Sequence, residues 1–211
     1  MSEPAGSDAV PDADGSVLAR RAAEAVAARL AQRPPDGRLP AAASLRAVGA
    51  TFVTLERHGT LLGCIGTLDP ARPRYLDAMR NAVRATADPR LPPVTAAQWP
   101  SVDVTVSALG RHERLPAETP DGLLAVLRPG VDGLVLAAGQ RRATFLPVVW
   151  HKLPDPERFL AALLRKGGWA TGGQPWRRAW PPALSAVRYT VAEFTDPAPR
   201  PAPGATPGAA G

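Results

Sequence analysis

Thr51-Phe52-Val53-Thr54-Leu55-Glu56-Arg57-His58-Gly59-Thr60-Leu61-Leu62-Gly63-Cys64-Ile65-Gly66-Thr67-Leu68 is the stretch whose reading decides the fold. Thr51 to Glu56 is rich in β-formers, His58-Gly59 makes a tight turn, and Thr60 to Leu68 returns as a second strand, so the stretch reads as a β-hairpin. On the returning strand Leu62, Cys64 and Gly66 are expected on one face, with Leu61, Gly63 and Ile65 on the other. Cys64 is the single cysteine in 211 residues. Glycine inside a strand marks a bulge or the close approach of another backbone or ligand. Two glycines flanking a lone thiol therefore suggest a shaped site.

Outward from the hairpin, Val17 to Gln32 reads as a helix capped by Ser16 and stopped by Pro34-Pro35, with Leu18, Ala22, Ala25, Val26 and Leu30 on one face. Arg74 to Thr86 reads as a second helix with Leu76, Met79, Ala82 and Val83 on its inner stripe. Asp88-Pro89-Arg90-Leu91-Pro92-Pro93 then favours extended backbone. Val102, Val104 and Val106 alternate with Asp103, Thr105 and Ser107, the pattern of a strand with one buried face. A short helix near Asp121 to Arg128 precedes a second hairpin, Gly133 to Ala138 and Arg141 to Leu146, around Gly139-Gln140. Helices at Pro147 to Leu153 and Pro156 to Lys166 and a final strand from Ala186 to Phe194 complete the reading. Hairpins and helices in mixed order predict an α+β domain on a mainly antiparallel sheet. Residues 1–15, acidic and rich in Gly, Ala and Pro, and residues 197–211, rich in Pro, are expected to be disordered tails around one domain spanning 16–196.

One cysteine excludes an intrachain disulfide and any zinc site needing several thiolates, and it fits a reducing cytoplasm. No signal-peptide pattern opens the chain, and no run approaches the roughly 18 apolar residues of a membrane span, so a soluble cytoplasmic protein without a membrane partner is expected. A formal charge of +6 and a pI near 10.6 raise nucleic acid as a ligand. Against that, the basic residues are scattered apart from the short pairs Arg20-Arg21, Arg141-Arg142 and Arg177-Arg178, and no aromatic-interleaved basic stripe is present. Arginine-driven nucleic-acid binding rests on net charge alone.

Five ordered segments carry a family resemblance. They are Phe52-Val53-Thr54-Leu55 leading into Leu61-Leu62-Gly63-Cys64-Ile65-Gly66; Asp88-Pro89-Arg90-Leu91-Pro92-Pro93; Val104-Thr105-Val106-Ser107; Gly130-Val131-Asp132-Gly133-Leu134 through Arg142-Ala143-Thr144-Phe145-Leu146-Pro147-Val148-Val149-Trp150; and Phe159-Leu160 to Lys166-Gly167-Gly168. Together they resemble the AMMECR domain family, known in prokaryotes as protein A of the AmmeMemoRadiSam system. The resemblance implies an α+β fold in which two unequal halves contribute to a barrel-like antiparallel sheet with flanking helices. It also implies an accessory role in a modification pathway, with a Memo-like or radical-SAM protein as partner; the family's own activity is not established. Two positions depart from the pattern. Leu62 stands where the family usually has arginine, and Val148 where it often has glutamine. The first puts in doubt any mechanism in which that arginine binds an anion or activates the thiol.

Cys64 is the candidate catalytic residue, as nucleophile or thiol carrier. Such a thiol needs an electropositive, partly exposed setting or a nearby base. His58 sits about 20 Å away along an extended strand, and His112 and His151 are distant in sequence. The plainer reading makes Cys64 a small buried hydrophobe. Three isolated histidines and no phosphate-loop spacing give no reason to expect a metal or a cofactor. Asp88, Arg90 and Asp132 are candidates for an acid and an anion site, although turn chemistry explains Asp88-Pro89-Arg90 and Asp132-Gly133 as readily. The leading expectation is an accessory or binding component whose contact surface is built on Leu62, Gly63, Ile65 and Gly66 around Cys64, where the glycines let a partner's backbone or a small ligand approach. The alternative is an enzyme that uses Cys64. Oligomeric state is not legible in the residues.

Overall fold

His58 and Gly59 both fold at positive φ, +50° and +74°, as the mirror-image turn whose twist suits two antiparallel strands requires. They join β1 (Thr51–Arg57) to β2 (Thr60–Gly66). A computed structural model describes residues 10–170 and 175–203 of the chain. In chain order α1 (Asp12–Leu30) and α2 (Ala43–Arg46) precede this hairpin, and α3 (Arg74–Ala85) and β3 (Val102–Leu109) follow it. Then come β4 (Glu113–Leu115), α4 (Pro120–Val126), β5 (Gly133–Ala138), β6 (Arg141–Phe145), a 3₁₀ turn (Pro147–His151), α5 (Pro156–Lys166), β7 (Ser185–Tyr189) and β8 (Val191–Asp196). The chain divides into two units, Met1–Leu109 with Ala192–Gly211, and Gly110–Val191.

The first unit holds a sheet of order β2-β1-β3-β8, in which β1 runs antiparallel to both β2 and β3. Val53, Leu55, Val102, Val104 and Val106 fill its inner face against Leu18, Ala22 and Val26 of α1 and Ala78, Ala82 and Ala85 of α3. The second unit holds a sheet of order β4-β7-β5-β6. Leu134 and Leu136 pack there on Phe159, Leu160, Leu163 and Leu164 of α5, with Trp150 stacked on Phe159 at 3.8 Å between ring centroids. Asp155 caps α5 through the amide of Arg158, 2.8 Å away, and Pro156 takes the first helical position, where its missing N–H costs nothing. The fold is α+β, as the residue pattern predicts, with two open four-stranded sheets. Among the described residues no helix is long and apolar enough to cross a membrane.

Four local expectations change. Helix α1 begins at Asp12, and the Ser16 hydroxyl donates back to the Asp12 carbonyl instead of capping the helix. Asp12 and Asp14 sit in the first turn, where the helix dipole favours negative charge. On α3 the buried stripe is Tyr75, Ala78, Met79, Ala82 and Ala85, while Leu76 is 41% exposed. In place of the helix expected over Pro147 to Leu153 there is a short 3₁₀ turn, Pro147–His151. The expected single final strand is two strands, β7 in the second sheet and β8 in the first. The break falls at Thr190, whose carbonyl accepts from the Gly110 amide at 2.9 Å.

Candidate functional site

The hexapeptide lies on β2, an edge strand of the first sheet. Leu55 faces Gly63 and Glu56 faces Leu61, so Leu62 has no partner and forms a β-bulge. The bulge breaks the expected alternation. Leu62 turns inward and packs on the apolar core together with Ile65, while Leu61 is exposed. Leu62 and Cys64 therefore do not share a face, and Leu62, where the resemblance implies an arginine, packs its side chain on the core. The glycines are also used internally. A Cβ on Gly63 would overlap the carbonyl oxygen of Ala85 at the end of α3, and one on Gly66 would overlap the Phe52 ring.

Cys64 is half-buried on the opposite, outer face. Its amide donates to Asp88 Oδ2 at 3.0 Å and its carbonyl accepts from Arg90 Nη2 at 2.8 Å, so both backbone groups point away from β1. Cys64 and its register partner Thr54 are then a non-hydrogen-bonded pair, the kind whose side chains lie closest. The Thr54 hydroxyl accordingly donates to Cys64 Sγ at 3.6 Å. The alternation continues along the row: Thr54 pairs with Thr105, and the Thr105 and Thr195 hydroxyls share a hydrogen bond of 2.8 Å. One row across the outer face thus reads Cys64, Thr54, Thr105, Thr195.

Asp88 and Arg90 come to this strand from the loop after α3. The Asp88 side chain is fully buried and that of Arg90 is 66% exposed. Asp88 accepts from Arg90 Nη2 at 2.6 Å, from Arg90 Nε at 2.9 Å and from the Arg90 amide at 3.1 Å. The Arg90 side chain, then the Cys64 and Arg90 amides, outweigh burial and hold the Asp88 carboxyl well below the usual carboxylate range. Asp88 in turn raises the Arg90 guanidinium. Asp88 is thus an ionised anchor, and its charge neutralises Arg90.

The remaining candidate, Asp132, belongs to the second unit. It is fully buried, takes Arg128 Nε at 2.9 Å and Arg128 Nη2 at 2.6 Å, and offers its own carbonyl to Trp150 Nε1 at 2.8 Å. Those bonds pin the turn that starts β5. Residue patterns alone passed over a buried polar group beneath the hairpin. Asp77 Oδ2 accepts from the Thr51 amide and hydroxyl, both at 2.9 Å, and from Asn81 Nδ2 at 3.0 Å, while Asp77 Oδ1 accepts from the Thr67 hydroxyl at 3.0 Å. Two polar residues four apart on the otherwise apolar face of α3 were the available signal. Among the described residues no group of three or more His, Cys, Asp or Glu is placed to hold a metal ion. A cavity of about 760 Å³ beside α1, lined by Arg21, Glu24, Asp36 and Arg38 among others, includes none of the hexapeptide.

The profile of the AMMECR1 family matches residues 18–194. A protein of Thermofilum pendens is 32% identical over 212 residues, covering 89% of this chain and 92% of that one. A protein of Thermotoga maritima is 37% identical over 163 residues, covering 76% and 84%. A protein of Methanothermobacter thermautotrophicus is 42% identical over 120 residues, but the match spans only 62% of its length. The crystal structure of the uncharacterized protein PH0010 from Pyrococcus horikoshii superposes with a TM-score of 0.79 at 27% identity, covering 90% of this chain and 95% of that one.

Proposed function

Because this chain belongs to the AMMECR1 family, we propose that it is a binding component, without chemistry of its own, and that its contact surface is the outer face of the β2-β1-β3-β8 sheet around Cys64. The observation that carries this reading is the environment of the thiol. Among the described residues its one hydrogen bond comes from the Thr54 hydroxyl, a group that does not take up protons at neutral pH. A nucleophilic cysteine requires a base or an unneutralised cation beside it, and here the cation, Arg90, is already paired with Asp88. The row of thiol and hydroxyls, half-buried at Cys64, Thr54 and Thr105 and exposed at Thr195, offers hydrogen bonds and polarizable surface to a partner without a reaction centre. Pairing of Arg21, Arg38, Arg72, Arg90, Arg128, Arg177, Arg188 and Arg200 with carboxylates of the same chain removes those eight from a phosphate-binding surface and supports protein over nucleic acid as the partner. The accessory setting beside a Memo-like or radical-SAM protein, in the cytoplasm, is part of the same proposal.

Thr54→Arg tests it, since the new side chain projects from the middle of that face and leaves the core untouched. Purified Memo-like and radical-SAM proteins from the same genome are offered to the parent and to the variant in a pull-down. Binding by the parent that is lost in the folded variant is the expected result. Equal retention by both refutes the face, and retention of neither by the parent refutes the pathway setting.

A further inference from the structure

We propose that Asp88 and Arg90 guard the edge of the first sheet, closing strand β2 against pairing with the β2 of a second copy of this chain. An edge strand presents unpaired N–H and C=O groups that template association, and folded proteins block them with charge, bulges or covering loops. Strand β2 uses all three. The bulge at Leu62 interrupts the regular ladder on one side of Cys64. At Cys64 itself the outward amide is taken by the Asp88 carboxylate at 3.0 Å and the outward carbonyl by the Arg90 guanidinium at 2.8 Å. One side chain accepts and the other donates, so the ion pair supplies the two hydrogen bonds that a fifth strand would supply. The guard is held in place by its own bonds, Asp88 to Arg90 at 2.6 and 2.9 Å, on a loop that Leu91 closes by donating to the Asp88 carbonyl at 3.0 Å.

The occupant that fits the unguarded edge is a second β2. In a two-fold antiparallel pairing centred on Cys64, each Cys64 gives its amide to the other and takes the other's amide in return. Such a hydrogen-bonded pair sets the two Cα atoms about 5.5 Å apart, which lies within the span a disulfide bridges. Cys64 is the chain's single cysteine, so every disulfide dimer joins Cys64 to Cys64, and amide protection at Cys64 tells strand pairing from chance collision.

The test compares the parent chain with Asp88→Ala/Arg90→Ala and with Arg90→Ala, each checked for folding by circular dichroism. Diamide is the oxidant: it takes two electrons and two protons from two thiols, becomes the hydrazine, and leaves an Sγ–Sγ bond. The double variant is expected to shift from monomer to covalent dimer on a non-reducing gel, Arg90→Ala to do so partly because Asp88 still holds the amide, and the parent to stay uncrosslinked. Before oxidation, hydrogen exchange at the Cys64 amide of the variants should slow as protein concentration rises. Folded variants that crosslink no more than the parent overturn the proposal, as does crosslinking without concentration-dependent protection. If the double variant fails to fold, Arg90→Ala decides by the same two readouts.

Discussion

Replacing Gly63 by alanine probes the packing that places Cys64. The added Cβ meets the Ala85 carbonyl oxygen, which is backbone at the last residue of α3. Ala85 is fully buried in the core shared with α1 and β1, so the helix end cannot swing aside without moving its neighbours. Overpacking a filled site costs about 1–3 kcal/mol. The same change stiffens the unfolded chain and returns about 0.4–1 kcal/mol. Taken at the middle of both ranges, the net expectation is a loss of about 1.3 kcal/mol. With a urea slope of about 1–3 kcal/mol/M, the unfolding midpoint falls by roughly 0.4–1.3 M. Circular dichroism in urea measures it, with Gly37→Ala as control, since a Cβ there meets nothing within 4 Å. The control should hold or raise the midpoint. A Gly63→Ala midpoint at or above the parent's refutes the reasoning, because the space beside Gly63 would then be empty.

Two further outcomes follow from the buried carboxylates. Asp88 is depressed below its ordinary value of 3.8, so protonating it costs the folded state; its contribution is complete above that value and is lost as pH falls toward the folded one. The stability gap between the parent and Asp88→Asn should therefore be constant from pH 6 to 8 and narrow below about pH 4, and urea midpoints that show the gap widening in acid would contradict the sign. Asp77→Ala strands the Thr51 amide together with the Thr51 and Thr67 hydroxyls beneath the hairpin, while Asn81 keeps the Thr51 carbonyl and the Thr67 hydroxyl as acceptors. With about 1–3 kcal/mol for each orphaned buried group, thermal or urea unfolding should show a loss of at least about 3 kcal/mol, and a loss under 1 kcal/mol would mean water replaces the carboxylate.

Secondary structure was legible wherever local chemistry is strong. The His58-Gly59 turn, the valine alternation of β3 and the Asp155-Pro156 start of α5 are each decided by residues in contact along the chain. The candidate site was legible as an address and not as an arrangement. Leu62 was expected beside Cys64 because strand periodicity is two, and a bulge is a property of the pair β1–β2 that one strand's pattern does not contain. Asp88 and Arg90 read equally as turn residues, since the atoms they bind are the backbone of a strand twenty-odd residues away. Thr190 gave no turn signal: apolar residues hold every second position from Val187 to Val191, and although the phase slips at Ala192, no glycine or proline marks a break, so pairing partners decide that the two halves enter different sheets.

By itself the sequence determined the α+β class, the hairpin, the family and the thiol at its centre, because these depend on propensity, turn chemistry and ordered motifs. The tertiary structure alone decided which way each side chain of the hexapeptide points. It gave Gly63 to Ala85, Leu62 and Ile65 to the core, and the backbone of Cys64 to Asp88 and Arg90. Those outcomes depend on register and on contacts between distant segments, whose energies no local pattern encodes.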